Sequence, residues 1–238
     1  MSFLYGGCTL FQNVPSIPAP EMILVEGGTF MMGDVIEQKN EDALPLHLVE
    51  LNDFYIGKYE VTYAQYDAFA VYTKSPLPED NNHGRGDRAV ARVSWHDALS
   101  YCNFFELRLP TENEWEYAAR EGGRNLLYSG TSNPDSLKYF AISEVSYSFY
   151  VGSKQANALG IHDMSGNVSE WIGNYYQFYE KPEEWHDIKN SSVRIIRGGS
   201  FSGSNISHVT AKSFWRVGVL SDAKYYDIGF RCAKSAES

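Results

Sequence analysis

Covalent or metal chemistry needs thiols, imidazoles, paired carboxylates or an activated hydroxyl, and this chain of 238 residues places them sparsely. Its three cysteines, Cys8, Cys102 and Cys232, fit no zinc spacing, and their odd number leaves one outside any internal pair. The six histidines (His47, His83, His96, His162, His186, His208) are scattered singly, never at the i, i+4 spacing that aims two imidazoles at one metal. No Gly-x-Ser-x-Gly elbow presents a nucleophilic serine, and no Gly-rich Lys-Ser/Thr loop cradles a phosphate.

A second kind of chemistry, non-covalent recognition, is written into residues 201–227. There Ser202, Gly203, Ser204, Ser207 and His208 precede Phe214, Trp215, Val217, Gly218, Val219, Leu220, Tyr225, Tyr226 and Asp227. Tyr and Trp supply wide contact area at low rotamer cost, while Ser and Gly adapt, which is the composition of antibody-like binding loops. A core segment would be more uniformly apolar and periodic. These residues are therefore the expected ligand-binding set. The segment is expected to run as surface loops, with Phe214, Trp215, Tyr225 and Tyr226 partly exposed and close together.

Composition narrows the partner. A net charge of −10 with no basic stretch argues against nucleic acid. No apolar run is long enough to span a bilayer. The partner is expected to be a protein or surface ligand of unknown identity.

The elements that must hold this segment can be read upstream. Residues 1–21 carry no regular period and read as a tether, with Pro15, Pro18 and Pro20 keeping it extended. Leu4-Tyr5-Gly6-Gly7-Cys8 looks like a loose lipobox without the preceding basic and apolar regions of a signal peptide, so Cys8 is either a lipid-anchor site or a free thiol. From residue 22 to 238 the pattern is that of a single α+β domain with much irregular structure. Met22–Val25, His47–Leu51, Asp53–Glu60, Arg194–Arg197 and Ile228–Ala233 have strand or extended character. Thr62, Ser94 and Thr111 each cap a helix, the last through a Thr111/Glu114 capping box.

Several segments, in order, resemble the formylglycine-generating (sulfatase-modifying factor) family. They include Met22-Ile23-Leu24-Val25-Glu26-Gly27-Gly28, Tyr59-Glu60-Val61-Thr62, Arg108-Leu109-Pro110-Thr111-Glu112-Asn113-Glu114-Trp115, Asp163-Met164-Ser165-Gly166-Asn167-Val168-Ser169-Glu170-Trp171, Arg197-Gly198-Gly199-Ser200 and Gly229-Phe230-Arg231. The resemblance implies a C-type lectin-like fold. It also implies an oxidase built on two cysteines shortly after Gly-Gly-Ser, where a thiolate pair would hold Cu(I). This chain has Gly203 and His208 at those positions, so the oxidase chemistry is expected to be absent. The sulfoxide-forming branch needs a His-x-x-x-His-x-Glu motif that does not occur here.

Further expectations come from the same resemblance. Cys102 and Cys232 pair as a disulfide in members that have both, while the other family bridge is lost to Ala119 and Ser213. A structural calcium ion is implied at Asn167 and Glu170, although Ser169 stands where an aromatic residue is usual. No other cofactor is expected. Within the family, the segment 194–231 resembles the C-terminal variable region of diversity-generating retroelement proteins, which show a diversified surface on this lectin-like scaffold. The expected function is thus a non-enzymatic, exported ligand-binding protein, a cell-surface or periplasmic lipoprotein. The alternatives are a member with a fixed binding loop, or an unrecognised enzyme of the formylglycine-generating and sulfoxide synthase superfamily.

Overall fold

The computed structural model describes residues 17–180, 192–202 and 207–236. Strands β1 (Met22–Val25), β2 (Gly28–Met32), β3 (His47–Leu51) and β4 (Phe54–Gly57) come first. Helices α1 (Tyr63–Thr73), α2 (Trp95–Phe104) and α3 (Glu112–Ala119) follow. Then come β5 (Ser169–Tyr175), β6 (Val193–Arg197), the four-residue α4 (Ser207–Thr210), β7 (Arg216–Leu220), β8 (Ile228–Gly229) and β9 (Ala233–Ser235).

All three longer helices start at the residues whose side chains can do it. Thr62, Ser94 and Thr111 each accept the N3 amide, and Gln65, Asp97 and Glu114 return the bond to the cap amide. Each box satisfies two of the amides that a helix start leaves without partners.

Three sheets organise the strands. One has the order β1-β4-β9, a second pairs β2 with β3, and the third runs β7-β6-β5-β8. In the third sheet β5 lies antiparallel to β6 but parallel to β8, so the chain end returns beside the sheet centre. Between β1 and the chain end, Trp95, Tyr101, Trp171 and Phe230 fill one core, and Trp115, Phe30, Phe54 and Ile195 fill another. Cys102 on α2 and Cys232 beside β9 form a disulfide across 130 residues of sequence, with Cα atoms 5.7 Å apart.

The structure corrects the loop expectation for 201–227. Arg216 to Leu220 is a strand in full register with β6, from Arg197↔Arg216 to Val193↔Leu220. The physical reason is that β6 is buried and its outer edge needs hydrogen-bond partners, which β7 supplies. The alternation of half-buried Val217 and Val219 with exposed Gly218 and Leu220 is the strand period, hidden in the sequence by the glycine.

Candidate functional site

The outer strand β7, the turn 221–227 and the segment Gly199–Ser202 enclose a cavity of about 310 Å³. Its lining includes Trp215, Val219, Tyr225 and Ile196 together with Asp227. Ser200 and Ser202 donate their hydroxyls to one oxygen of Asp227, at 2.7 and 2.8 Å. Asp227 is anchored from behind as well, since its carbonyl accepts the Ser169 amide of β5 at 2.9 Å.

Around this cavity the expected binding residues differ in their surroundings. Tyr225, Tyr226 and Leu220 are 53%, 48% and 59% exposed, while Trp215, Val217, Val219, Ser202 and Asp227 are half-buried. Gly203 and Ser204 lie outside the described residues, as do the side chains of Ser207 and His208 on α4. Phe214 is a correction: only 2% exposed, it packs with Leu127, Tyr128, Leu137 and Ala211 and belongs to the core. Gly218 is another. A β-carbon there would come within 2.8 Å of the Tyr176 ring and of Val193, so this exposed position must stay side-chain-free.

Sequence reasoning missed Ser200 as a functional side chain, although its place after Gly198-Gly199 was visible. It also missed a neighbouring aromatic surface. Tyr147, Phe149 and Tyr150 are exposed on the loop before Val151, and a small crevice there is shared by Tyr147, Phe201 and Tyr226.

Beneath the face lies a buried ionic network that fixes β6 and β7 to α3. Arg216 donates both Nε and Nη2 to Glu112, at 2.6 and 3.0 Å, and gives Nη1 to the carbonyls of Asp42 and Gln177. Arg197 donates to Glu112 and Glu116 and to the Ser213 carbonyl. Fork-shaped guanidinium groups with every partner in place hold β6 and β7 rigidly on α3.

The pair implied for calcium does not fit that ion. Both oxygens of Glu170 accept from Arg231 at 2.7 Å, and one also accepts the Trp115 indole. Asn167 spends its amide on Glu60 and its oxygen on the Phe149 amide. Among the described residues no group of three or more His, Cys, Asp or Glu could hold a metal ion.

The same region holds excess negative charge. Burial pushes the Glu60 carboxyl well above the usual carboxylate range, and the charges of Asp163 and Glu170 push it further. Burial raises Asp163 too, only partly offset by the Gly152 amide and Arg231, and its Oδ1 finds no hydrogen-bond partner. A carboxyl whose folded pKa is raised makes the native state bind more protons than the unfolded chain. Its destabilising effect is absent below its ordinary value, 3.8 for Asp163, and grows as pH rises toward the folded value. Asp163→Asn keeps an acceptor for the Gly152 amide and suits the left-handed backbone at φ +57. In chelator-treated protein its melting temperature will exceed that of the parent by a margin that widens from pH 4 to pH 7. A constant or narrowing margin would show that Asp163 is not a buried charge in the metal-free protein.

Comparison with known proteins agrees with this architecture. The model of the sulfatase-modifying factor enzyme 1-like domain matches residues 8–236. Chaperone protein LppX of Paenibacillus barcinonensis is 31% identical over 244 residues, covering 77% of this chain and 79% of that protein. The formylglycine-generating enzyme of Bos taurus is 24% identical, covering 91% of this chain and 75% of that one. Treponema denticola variable protein 1 superposes with a TM-score of 0.75 at 24% identity, covering 90% of this chain and 95% of that chain, which shows a common fold. The fold is accordingly the mixed helix and strand, C-type lectin-like one, and the chain belongs to the sulfatase-modifying factor enzyme 1-like family.

Proposed function

We propose that this protein is a non-enzymatic binder that presents Trp215 to Asp227, with Ser200 and Ser202, as its recognition face. The observation that carries this reading is the contrast across β7. Its inner anchor Arg216 is locked into a buried network, while Leu220, Tyr225 and Tyr226 stand exposed, with Tyr225 lining the cavity. Exposed tyrosines on a rigid mount suit a protein or surface ligand. The likeness to Treponema denticola variable protein 1 supports retroelement diversification of this face. The family's thiol pair is replaced by Gly203 and His208, which favours binding over oxidation. Export as a lipid-anchored protein is consistent with Cys8 and with a disulfide that needs an oxidising compartment. Among the described residues no helix is long and apolar enough to cross a membrane.

Two measurements test the reading. Copper-loaded protein given a cysteine-containing peptide should show no formylglycine formation; turnover would make it an enzyme. Substituting serine at Leu220, Tyr225 or Tyr226 should change stability by no more than about 0.5 kcal/mol each. Phe214→Ala should cost about 3–5 kcal/mol, because it empties a core site. If the exposed set proved as costly as Phe214, the face would be structural. For diversification the test is the locus: a near-copy of the codons for 194–231 beside a reverse transcriptase gene is expected, and its absence would leave a fixed binding face.

A further inference from the structure

Resting on that reading of the face, we infer that the cavity over Asp227 is a receptor for one cationic side chain, an arginine or lysine presented by the partner. Three observations converge. First, Asp227 is the charged group of the cavity lining, and none of the described lining side chains is cationic. Cations on the flanking strands and turns are held elsewhere: Lys224 by Asp97 at 2.7 Å, Lys212 by Glu37 at 2.6 Å, Arg216 by Glu112, and Arg194, opposite Val219 on β6, against the rings of Trp95 and Tyr175. Second, the carboxylate is aimed. Ser200 and Ser202 both donate to the same oxygen and lie 3.0 Å from each other, which orients the group and leaves further acceptor capacity on it. Third, the lining brings the aromatic residues Trp215 and Tyr225 together with the aliphatic Val219 and Ile196.

That lining matches the rest of such a side chain. An arginine or lysine carries an apolar stem that packs on aliphatic groups, and its head is attracted to aromatic faces. A planar guanidinium also stacks and can take a carboxylate through two donors, so arginine should bind more tightly than lysine. About 310 Å³ is at the lower limit of small-molecule pockets, room for one side chain rather than a large cofactor. A chain of net charge −10 additionally draws basic partners toward the site.

The test uses Nα-acetyl-arginine methylamide as the probe, with the citrulline analogue as a neutral isostere and the glutamate analogue as an anion. Amide NMR of the whole protein should show saturable shifts at Ser200, Ser202 and Asp227 with the arginine probe. The citrulline probe should bind at least about tenfold more weakly, and the glutamate probe should give no shifts there. Asp227→Asn keeps an oxygen for both serine hydroxyls, so it should melt like the parent while losing at least about tenfold in arginine affinity. Equal binding of arginine and citrulline, or unchanged affinity in Asp227→Asn, overturns the cation receptor. A parallel library randomised at Val219, Leu220, Tyr225 and Tyr226 and selected against lysozyme separates the two readings. Binders from the library without arginine binding remove only the cation receptor. Arginine binding with no folded binders removes the display face instead.

Discussion

Replacing Arg231 by methionine will cost about 3–5 kcal/mol of folding free energy, because it leaves a buried carboxylate without its cation. Arg231 and Glu170 are both fully buried and joined by two bonds of 2.7 Å. The guanidinium also donates to the carbonyls of Gly57 and His162, both at 2.9 Å, so it ties β4 and the loop before β5 to the closing segment. Glu60 and Asp163 lie in the same field, and removing this guanidinium would leave all three carboxylates more strongly exposed to each other. Urea melts of Arg231→Met at neutral pH check the magnitude. Pairing it with Glu170→Gln should recover part of the loss, since the two residues act as one unit. A loss below about 1 kcal/mol would mean that water or another cation reaches Glu170.

Reduction of the Cys102–Cys232 disulfide is expected to be the other large effect. Both cysteines are fully buried, so reduction leaves their packing nearly unchanged and removes mainly the crosslink. Closing a loop over 130 residues is worth about 4–5 kcal/mol in the chain-entropy model. For a chain of this size that is a fall in melting temperature on the order of 10 °C. In protein produced without lipidation, thiol titration under denaturing conditions should count a single free thiol, Cys8, before reduction and all three cysteines after it. Identical melts with and without reductant, together with three titratable thiols at the start, would leave Cys102 and Cys232 as unpaired core residues.

Much of the scaffold was legible in the sequence because its signals are local. A cap and its N3 partner sit three residues apart, so Thr62, Ser94 and Thr111 announce their helices without help from the rest of the fold. The strands Met22–Val25 and His47–Leu51 carry their β-branched and apolar character in a few consecutive residues. The family, too, is carried by short ordered segments, each local in sequence.

Tertiary structure alone decided the rest, because burial and charge balance are properties of residues far apart in the chain. Phe214 and Tyr225 look alike as aromatics in a Ser- and Gly-rich stretch, but only packing against Leu127 and Leu137 makes Phe214 core. Gly218 reads as an adaptable position until the Tyr176 ring fills the space beside it. Glu170 reads as a free oxygen ligand until Arg231, 61 residues later, takes both its oxygens. Likewise Ser200, Ser202 and Asp227 become one site only because β8 runs parallel to β5 and returns the chain end over Gly-Gly-Ser. Composition determined which side chains this segment offers for recognition, since residue type sets what a side chain can do. Which of them are exposed was decided by the fold, because exposure is a relation between distant parts of the chain.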